Sequence, residues 1–117
     1  MRYRTLGRTG FSVSEMACGL WGMSGWSGSD DSESLRTLQL AVDLGCNFFD
    51  TAWAYGEGKS DGFLGKILDA NPDKRLYSAS KIPPKNIRWP ALPSYDYNDV
   101  FPADHVFEYA DRLRRAL

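Results

Sequence analysis

Gly45-Cys46-Asn47-Phe48-Phe49-Asp50-Thr51-Ala52-Trp53-Ala54-Tyr55-Gly56 is the stretch whose reading decides the fold. Gly45 is placed to stop the helix before it. Asn47 to Asp50 is a short run with two aromatics, suited to a strand buried on both faces. Asp50 falls where that strand ends, and Tyr55 follows on a glycine-flanked loop. In an α/β protein the C-terminal end of a strand and the loop after it carry the chemistry. A later run, Leu76 to Ser80, is also strand-like and ends on Lys81. An acid, a phenol and an amine are therefore expected at the ends of adjacent strands.

Working outward, Arg2 to Leu6 and Phe11 to Ser14 are extended runs joined by Gly7-Arg8-Thr9-Gly10, which predicts a β-hairpin. Glu15 to Leu20 is the next strand, and it runs into Trp21-Gly22-Met23. Ser24 to Asp31 is polar and glycine-rich, hence a loop. Asp30 with Glu33 is a capping box, and Leu35, Leu38, Ala41 and Val42 then recur at helical spacing. Ser60 is expected to cap a second helix with Phe63, Leu64, Ile67 and Leu68 inward, ended by Asn71-Pro72. Ile82 to Phe101 is a long proline-containing segment whose Trp89, Tyr95 and Tyr97 favour an ordered loop. A third helix starts near Pro102 with Val106, Ala110, Leu113 and Leu117 on one apolar face. The order is a hairpin followed by three βα units. That pattern predicts an α/β fold with a parallel sheet and one domain over 1–117 without an internal boundary.

A net charge of −1 and a pI near 5.7 point away from nucleic acid and anionic membranes as partners. Hydrophobic content of 43% with 25% charged residues is that of a globular protein. No run approaches transmembrane length, and Met1-Arg2-Tyr3-Arg4-Thr5 lacks the apolar core of a signal peptide. Cys18 and Cys46 both fall in strand regions. They are expected to be small buried thiols in a reducing cytoplasm rather than a disulfide. No metal site is expected.

Gly45 to Ala52, then Tyr55-Gly56-Glu57-Gly58-Lys59-Ser60, then Leu64-Gly65, resemble the first signature of the aldo-keto reductase family, and the likeness runs over essentially all 117 residues. It implies a (β/α)8 TIM barrel and NADPH-dependent interconversion of small aldehydes or ketones with alcohols. Such a barrel needs roughly 250 residues. The expectation is therefore an N-terminal hairpin plus the first three βα units, incomplete as a barrel. The parent protein would be the enzyme, and 117 residues alone would be an inactive fragment that binds no cofactor tightly. Its third strand would expose an edge that invites self-association.

The chemistry fits the residues. Carbonyl reduction needs a hydride and a proton, and a free tyrosine with a pKa near 10 is a weak acid at neutral pH. A neighbouring ammonium favours the phenolate, and a carboxylate holds the ammonium in place. This assigns Tyr55 as general acid, Lys81 as its activator and Asp50 as the partner of Lys81. The plain structural alternative is a loop tyrosine beside an Asp–Lys ion pair. By resemblance, Leu20, Trp21, Gly22 and Asp50 border the nicotinamide, and Trp21, Trp53 and Trp89 wall the substrate. Trp21 is equally readable as a hydrophobic plug. The family's catalytic histidine follows a fourth strand. His105 does not match it and is expected on a helix surface.

Gly58-Lys59-Ser60 is not a P-loop, because Trp53 stands where that motif needs glycine. No Gly-x-Gly-x-x-Gly follows a strand, so a Rossmann site is not supported. Asp61 stands where the family usually has glutamate. A second function of this fold, a non-catalytic cofactor-sensing auxiliary subunit, is the alternative to an enzyme.

Overall fold

The computed structural model describes residues 1–25 and 28–117. The loop expected over 24–31 lies outside the described residues at Trp26 and Ser27. Strand β1 (Tyr3–Thr5) pairs antiparallel with β2 (Ser12–Ser14). Strand β3 (Cys18–Gly19) is followed by a single 3-10 turn (Trp21–Met23), and the next regular element is α1 (Asp31–Asp43). Then follow β4 (Phe48–Asp50), α2 (Lys59–Ala70), β5 (Tyr77–Ala79), a short α3 (Tyr97–Val100) and α4 (Ala103–Ala116). The second sheet has the order β3-β4-β5, all parallel, with Gly19 opposite Asp50 and Asp50 opposite Ala79. The hairpin and the three βα units expected from the sequence are present, and among the described residues the parallel sheet is open at both edges. No helix among them is long and apolar enough to cross a membrane.

Local sequence explains the helix ends. Asp30 caps α1 by accepting from the Glu33 amide at 2.8 Å, as expected. The Glu33 carboxylate pairs with Arg36 instead of closing the box. At the other end Gly45, with φ of 92°, turns the chain out. Its amide bonds the Val42 carbonyl, and the Cys46 amide bonds that of Ala41. These two bonds make a Schellman stop, which needs a residue free of the Cβ penalty at positive φ. Ser60 does not cap α2. Gly58 holds the cap position, and the Ser60 hydroxyl is buried, donating to the Leu20 carbonyl at 3.1 Å. A hydroxyl used that way ties α2 to the end of β3.

Alternation along β4 sends Phe49 to the helices and Phe48 with Asp50 to the other face. Phe49 is fully buried among Leu20, Leu38, Val42, Leu64 and Ile67. Phe48 is only half-buried. The expectation of burial on both faces is thus met on one, because α1 and α2 contribute to a single core. The hairpin docks at the N-terminal end of β4, opposite the Asp50 end. Asn47 fastens it: Oδ1 accepts from the Ser14 amide at 2.7 Å, and Nδ2 donates to the Ser12 carbonyl at 3.0 Å. Phe11 stacks on Tyr77 with ring centroids 4.8 Å apart.

The long segment after β5 contains α3, which periodicity did not announce. Asp96 caps it by accepting from the Asn98 amide. Helix α4 approaches α2 closely at Gly65, where a Cβ would lie 2.0 Å from the Ala116 carbonyl oxygen. Of the apolar face expected on α4, Val106, Leu113 and Leu117 are half-buried, and Leu117 packs against the core. Ala110 is exposed, whereas His105 is buried. His105 is therefore not a surface residue. Its Nε2 donates to the Pro83 carbonyl at 2.7 Å, and its ring lies 4.6 Å from that of Tyr109. A satisfied hydrogen bond is what allows an imidazole to be buried there.

Candidate active site

The strand ladder continues past the regular elements. The Leu20 amide bonds the Asp50 carbonyl, the Thr51 amide bonds that of Ala79, and the Trp53 amide bonds that of Lys81. This continuation sets Asp50 and Lys81 beside each other at the C-terminal edge of the sheet. Lys81 Nζ donates to Asp50 Oδ1 and to the Thr51 carbonyl, both at 2.7 Å. The same nitrogen lies 5.3 Å from the centroid of the Tyr55 ring. Tyr55 is carried on the tight turns between β4 and α2, where its amide bonds the Ala52 carbonyl. The acid, amine and phenol expected from the sequence are thus together.

Side-chain exposures of 44% for Asp50 and 50% for Lys81 make this a solvent-facing pair. Such pairs contribute only about 0–1 kcal/mol to stability.

A cleft of about 310 Å³ opens beside the trio, lined by Tyr55 and Lys81, by Trp21 and Trp89, and by Ile82 and Pro83. Trp21 is 59% exposed and Trp89 68%. An indole that exposed is a wall of the cleft, not a plug in the core. Trp53 is elsewhere. It meets Tyr109 edge-on, with the Arg112 guanidinium 5.5 Å from its ring, and borders a different depression beside α4. Leu20 has its side chain wholly in the core, and its carbonyl is taken by Ser60. Gly22, in the 3-10 turn, stands next to Trp21. The structure thus brings Tyr55, Lys81, Trp21 and Trp89 to one cleft, with Asp50 bonded to Lys81 beside it, and leaves Trp53 and the Leu20 side chain out of it. Among the described residues no cluster of His, Cys, Asp or Glu could hold a metal ion.

The sequence passed lightly over Asp61. It is fully buried in the first turn of α2. Oδ1 accepts from the Ser80 hydroxyl at 2.7 Å. Oδ2 and Thr51 Oγ1 are both buried with no hydrogen bond of normal geometry. The Thr51 hydroxyl is nonetheless near enough to act on the carboxyl. Burial pushes the Asp61 carboxyl above the usual carboxylate range, while the Ser80 hydroxyl and, more weakly, the Lys81 charge pull it down. A buried carboxyl raised this way binds its proton more tightly folded than unfolded. Its stabilising contribution is complete below the unfolded value of about 3.9 and is lost as pH rises through the folded value. Asp61→Asn is therefore expected to raise the unfolding midpoint at pH 7 and to give no gain below about pH 4. Melting curves of both proteins across that range test it, and an equal difference at every pH would contradict it.

A parallel sheet with an acid, an amine and a phenol at its C-terminal edge defines the class: an α/β scaffold of open barrel type with polar groups gathered on the strand-end face. The model of the Aldo/keto reductase family matches residues 15–102. The chain belongs to that family. Aldo-keto reductase YhdN of Bacillus subtilis (strain 168) is 37% identical over 70 residues, covering 58% of this chain and 21% of YhdN. The 6-dehydroglucose reductase of Novosphingobium aromaticivorans is 36% identical over 93 residues, covering 70% of this chain and 30% of that protein. The holo form of an aldo-keto reductase from Bacillus halodurans superposes with a TM-score of 0.77 at 24% identity, over 100% of this chain and 36% of the other. That likeness shows the fold: the hairpin and first three βα units of the barrel. The matches span 21% and 30% of the two curated relatives.

Proposed function

We propose that this chain forms the opening three βα units of an NADPH-dependent reductase of small aldehydes and ketones, with further strands closing the barrel in the complete reductase. The observation that carries the reading is the Lys81 ammonium, bonded at 2.7 Å to Asp50 and 5.3 Å from the Tyr55 ring, at the edge of the cleft. A bound nicotinamide supplies the hydride. Tyr55 gives its proton to the carbonyl oxygen as that oxygen becomes the alcohol. Lys81 stabilises the phenolate left behind, and Asp50 holds the ammonium in place. The half-exposed Asp50 carboxylate is also able to accept from a ribose hydroxyl, and the exposed indoles of Trp21 and Trp89 offer an apolar wall to the nicotinamide and substrate. This donor set fits the reacting end of the cofactor. The unpaired Cys18 and Cys46 thiols favour a reducing compartment, which agrees with a cytoplasmic protein.

The test is aldehyde-dependent NADPH oxidation by the complete reductase, with NADH compared. NADPH binding without turnover of any aldehyde would replace the reading with that of a cofactor-sensing auxiliary subunit. Trp21→Ala is expected to change the kcat/KM ratio between aromatic and short aliphatic aldehydes by roughly tenfold or more. Its stability should shift by less than about 1 kcal/mol, since the ring is mostly exposed. A large loss of stability with an unchanged ranking would remove Trp21 from the cleft's function.

Residues 1–117 expressed with nothing appended are proposed to be inactive. The outer edges of β3 and β5 are unpaired among the described residues, and open edges recruit other strands. Sedimentation is expected to find oligomers, with no NADPH fluorescence change. A monomer that binds NADPH and reduces aldehydes would refute this.

A further inference from the structure

We propose that Asp61 is a positioning residue that clamps the two strand ends carrying Asp50 and Lys81. The inference rests on the reductase reading for its catalytic meaning, though its geometry stands apart from it. Asp61 sits at the start of α2, beneath the site and sealed from solvent. Its two carboxyl oxygens address two strands. Oδ1 takes the Ser80 hydroxyl at 2.7 Å, and Ser80 is the residue before Lys81. Oδ2 and Thr51 Oγ1 are both buried without a hydrogen bond of normal geometry, the hydroxyl being near enough to act on the carboxyl, and Thr51 is the residue after Asp50. The Lys81 ammonium closes the ring from above by donating to the Thr51 carbonyl at 2.7 Å. One carboxyl therefore holds the neighbour of Lys81 directly and lies within reach of the hydroxyl on the neighbour of Asp50.

The chemistry of the spot points the same way. A carboxyl placed wholly out of water with one oxygen unsatisfied is costly. An apolar side chain in its place would remove that cost but would leave the Ser80 hydroxyl without its acceptor and the Thr51 hydroxyl without the carboxyl it faces. Those hydroxyls would then be free to turn, and the strand ends with them. The exposed Asp50–Lys81 pair is too weak to hold itself in one geometry. A buried anchor below the exposed pair supplies that rigidity, in the way that a supporting shell fixes reacting groups.

Asp61→Ala and Asp61→Asn in the complete reductase test it. Amide hydrogen exchange of Thr51 and Trp53, whose amides bond the Ala79 and Lys81 carbonyls, reports the strand ends. Leu38 and Val42 in α1 report the core. Asp61→Ala is expected to speed exchange at Thr51 and Trp53 at least tenfold relative to Leu38 and Val42. It should lower kcat at least tenfold with little change in the cofactor KM. Asp61→Asn, which keeps one acceptor for Ser80 and offers Thr51 a donor, should restore both readouts. Exchange raised equally everywhere, or a kcat loss not rescued by Asn, would overturn the proposal. If Asp61→Ala does not fold, Ser80→Ala removes one arm of the clamp and is expected to speed exchange at Trp53. Unchanged exchange there would overturn it equally. If the wild-type protein reduces no aldehyde, the reductase reading fails, while the exchange data still decide whether the clamp exists.

Discussion

Lys81→Met in the complete reductase is expected to slow aldehyde reduction by about 10²–10⁴-fold, the range lost when proton transfer goes unassisted. Methionine keeps an unbranched side chain of similar reach and removes the charge. The Tyr55 phenolate then loses the ammonium beside it, and the bonds to Asp50 and the Thr51 carbonyl disappear together. The fold should tolerate the change, because the pair is half exposed and contributes about 0–1 kcal/mol. Loss of turnover with an unchanged melting point and cofactor affinity is therefore the expected signature. Steady-state kinetics, a fluorescence titration with NADPH and one melting curve measure it. A Lys81→Met protein with near-normal turnover would end the assignment of Lys81.

The parts of this chain that were legible in its sequence are those whose partners lie close along it. Asp30 announces α1 because the amide it accepts from is only three residues away. Gly45 announces the end of α1 because the Schellman bonds run back to Ala41 and Val42. Leu38 and Val42 declare the inner face of α1 through helical spacing alone. The strand ends followed from the same punctuation, and with them the meeting of Asp50 and Lys81.

What escaped depends on distant partners. Ser60 looks like a cap, yet its hydroxyl is claimed by Leu20, forty positions earlier. His105 looks like a surface residue, and only the Pro83 carbonyl, twenty-two positions away, explains its burial. The apolar spacing on α4 located Val106, Leu113 and Leu117, which are half-buried, but not Ala110, which is exposed. Trp53 carries the same chemistry as Trp21 and Trp89 but is held by Tyr109 and Arg112 outside the cleft. Asp61 was visible as a carboxylate; its seclusion beneath Lys81 was not, because Thr51 and Ser80 come from two different strands.

Phe49→Ala should give the opposite signature to Lys81→Met. Phe49 has no exposed surface and lies on the central strand of the three, with Leu38 and Val42 of α1 and Leu64 and Ile67 of α2 in the same core cluster. Those groups belong to helices anchored at both ends and cannot close over a missing ring, so a cavity remains. Truncation of this kind costs about 3–5 kcal/mol, which in a barrel-sized protein lowers the melting point by about 6–20 °C. The chemistry should survive at temperatures where the protein stays folded. Phe49 points to the helices, whereas Asp50 points to the other face, and the end of β4 is held by main-chain bonds from Leu20 to Asp50 and from Thr51 to Ala79. Those bonds do not involve the ring. A melting curve and turnover measured well below the transition separate the two effects. A Phe49→Ala protein with an unshifted melting point would show that the ring is not at the centre of the core. One that stays folded but loses turnover as completely as Lys81→Met would show that the strand end depends on the core beneath it more than on its own ladder.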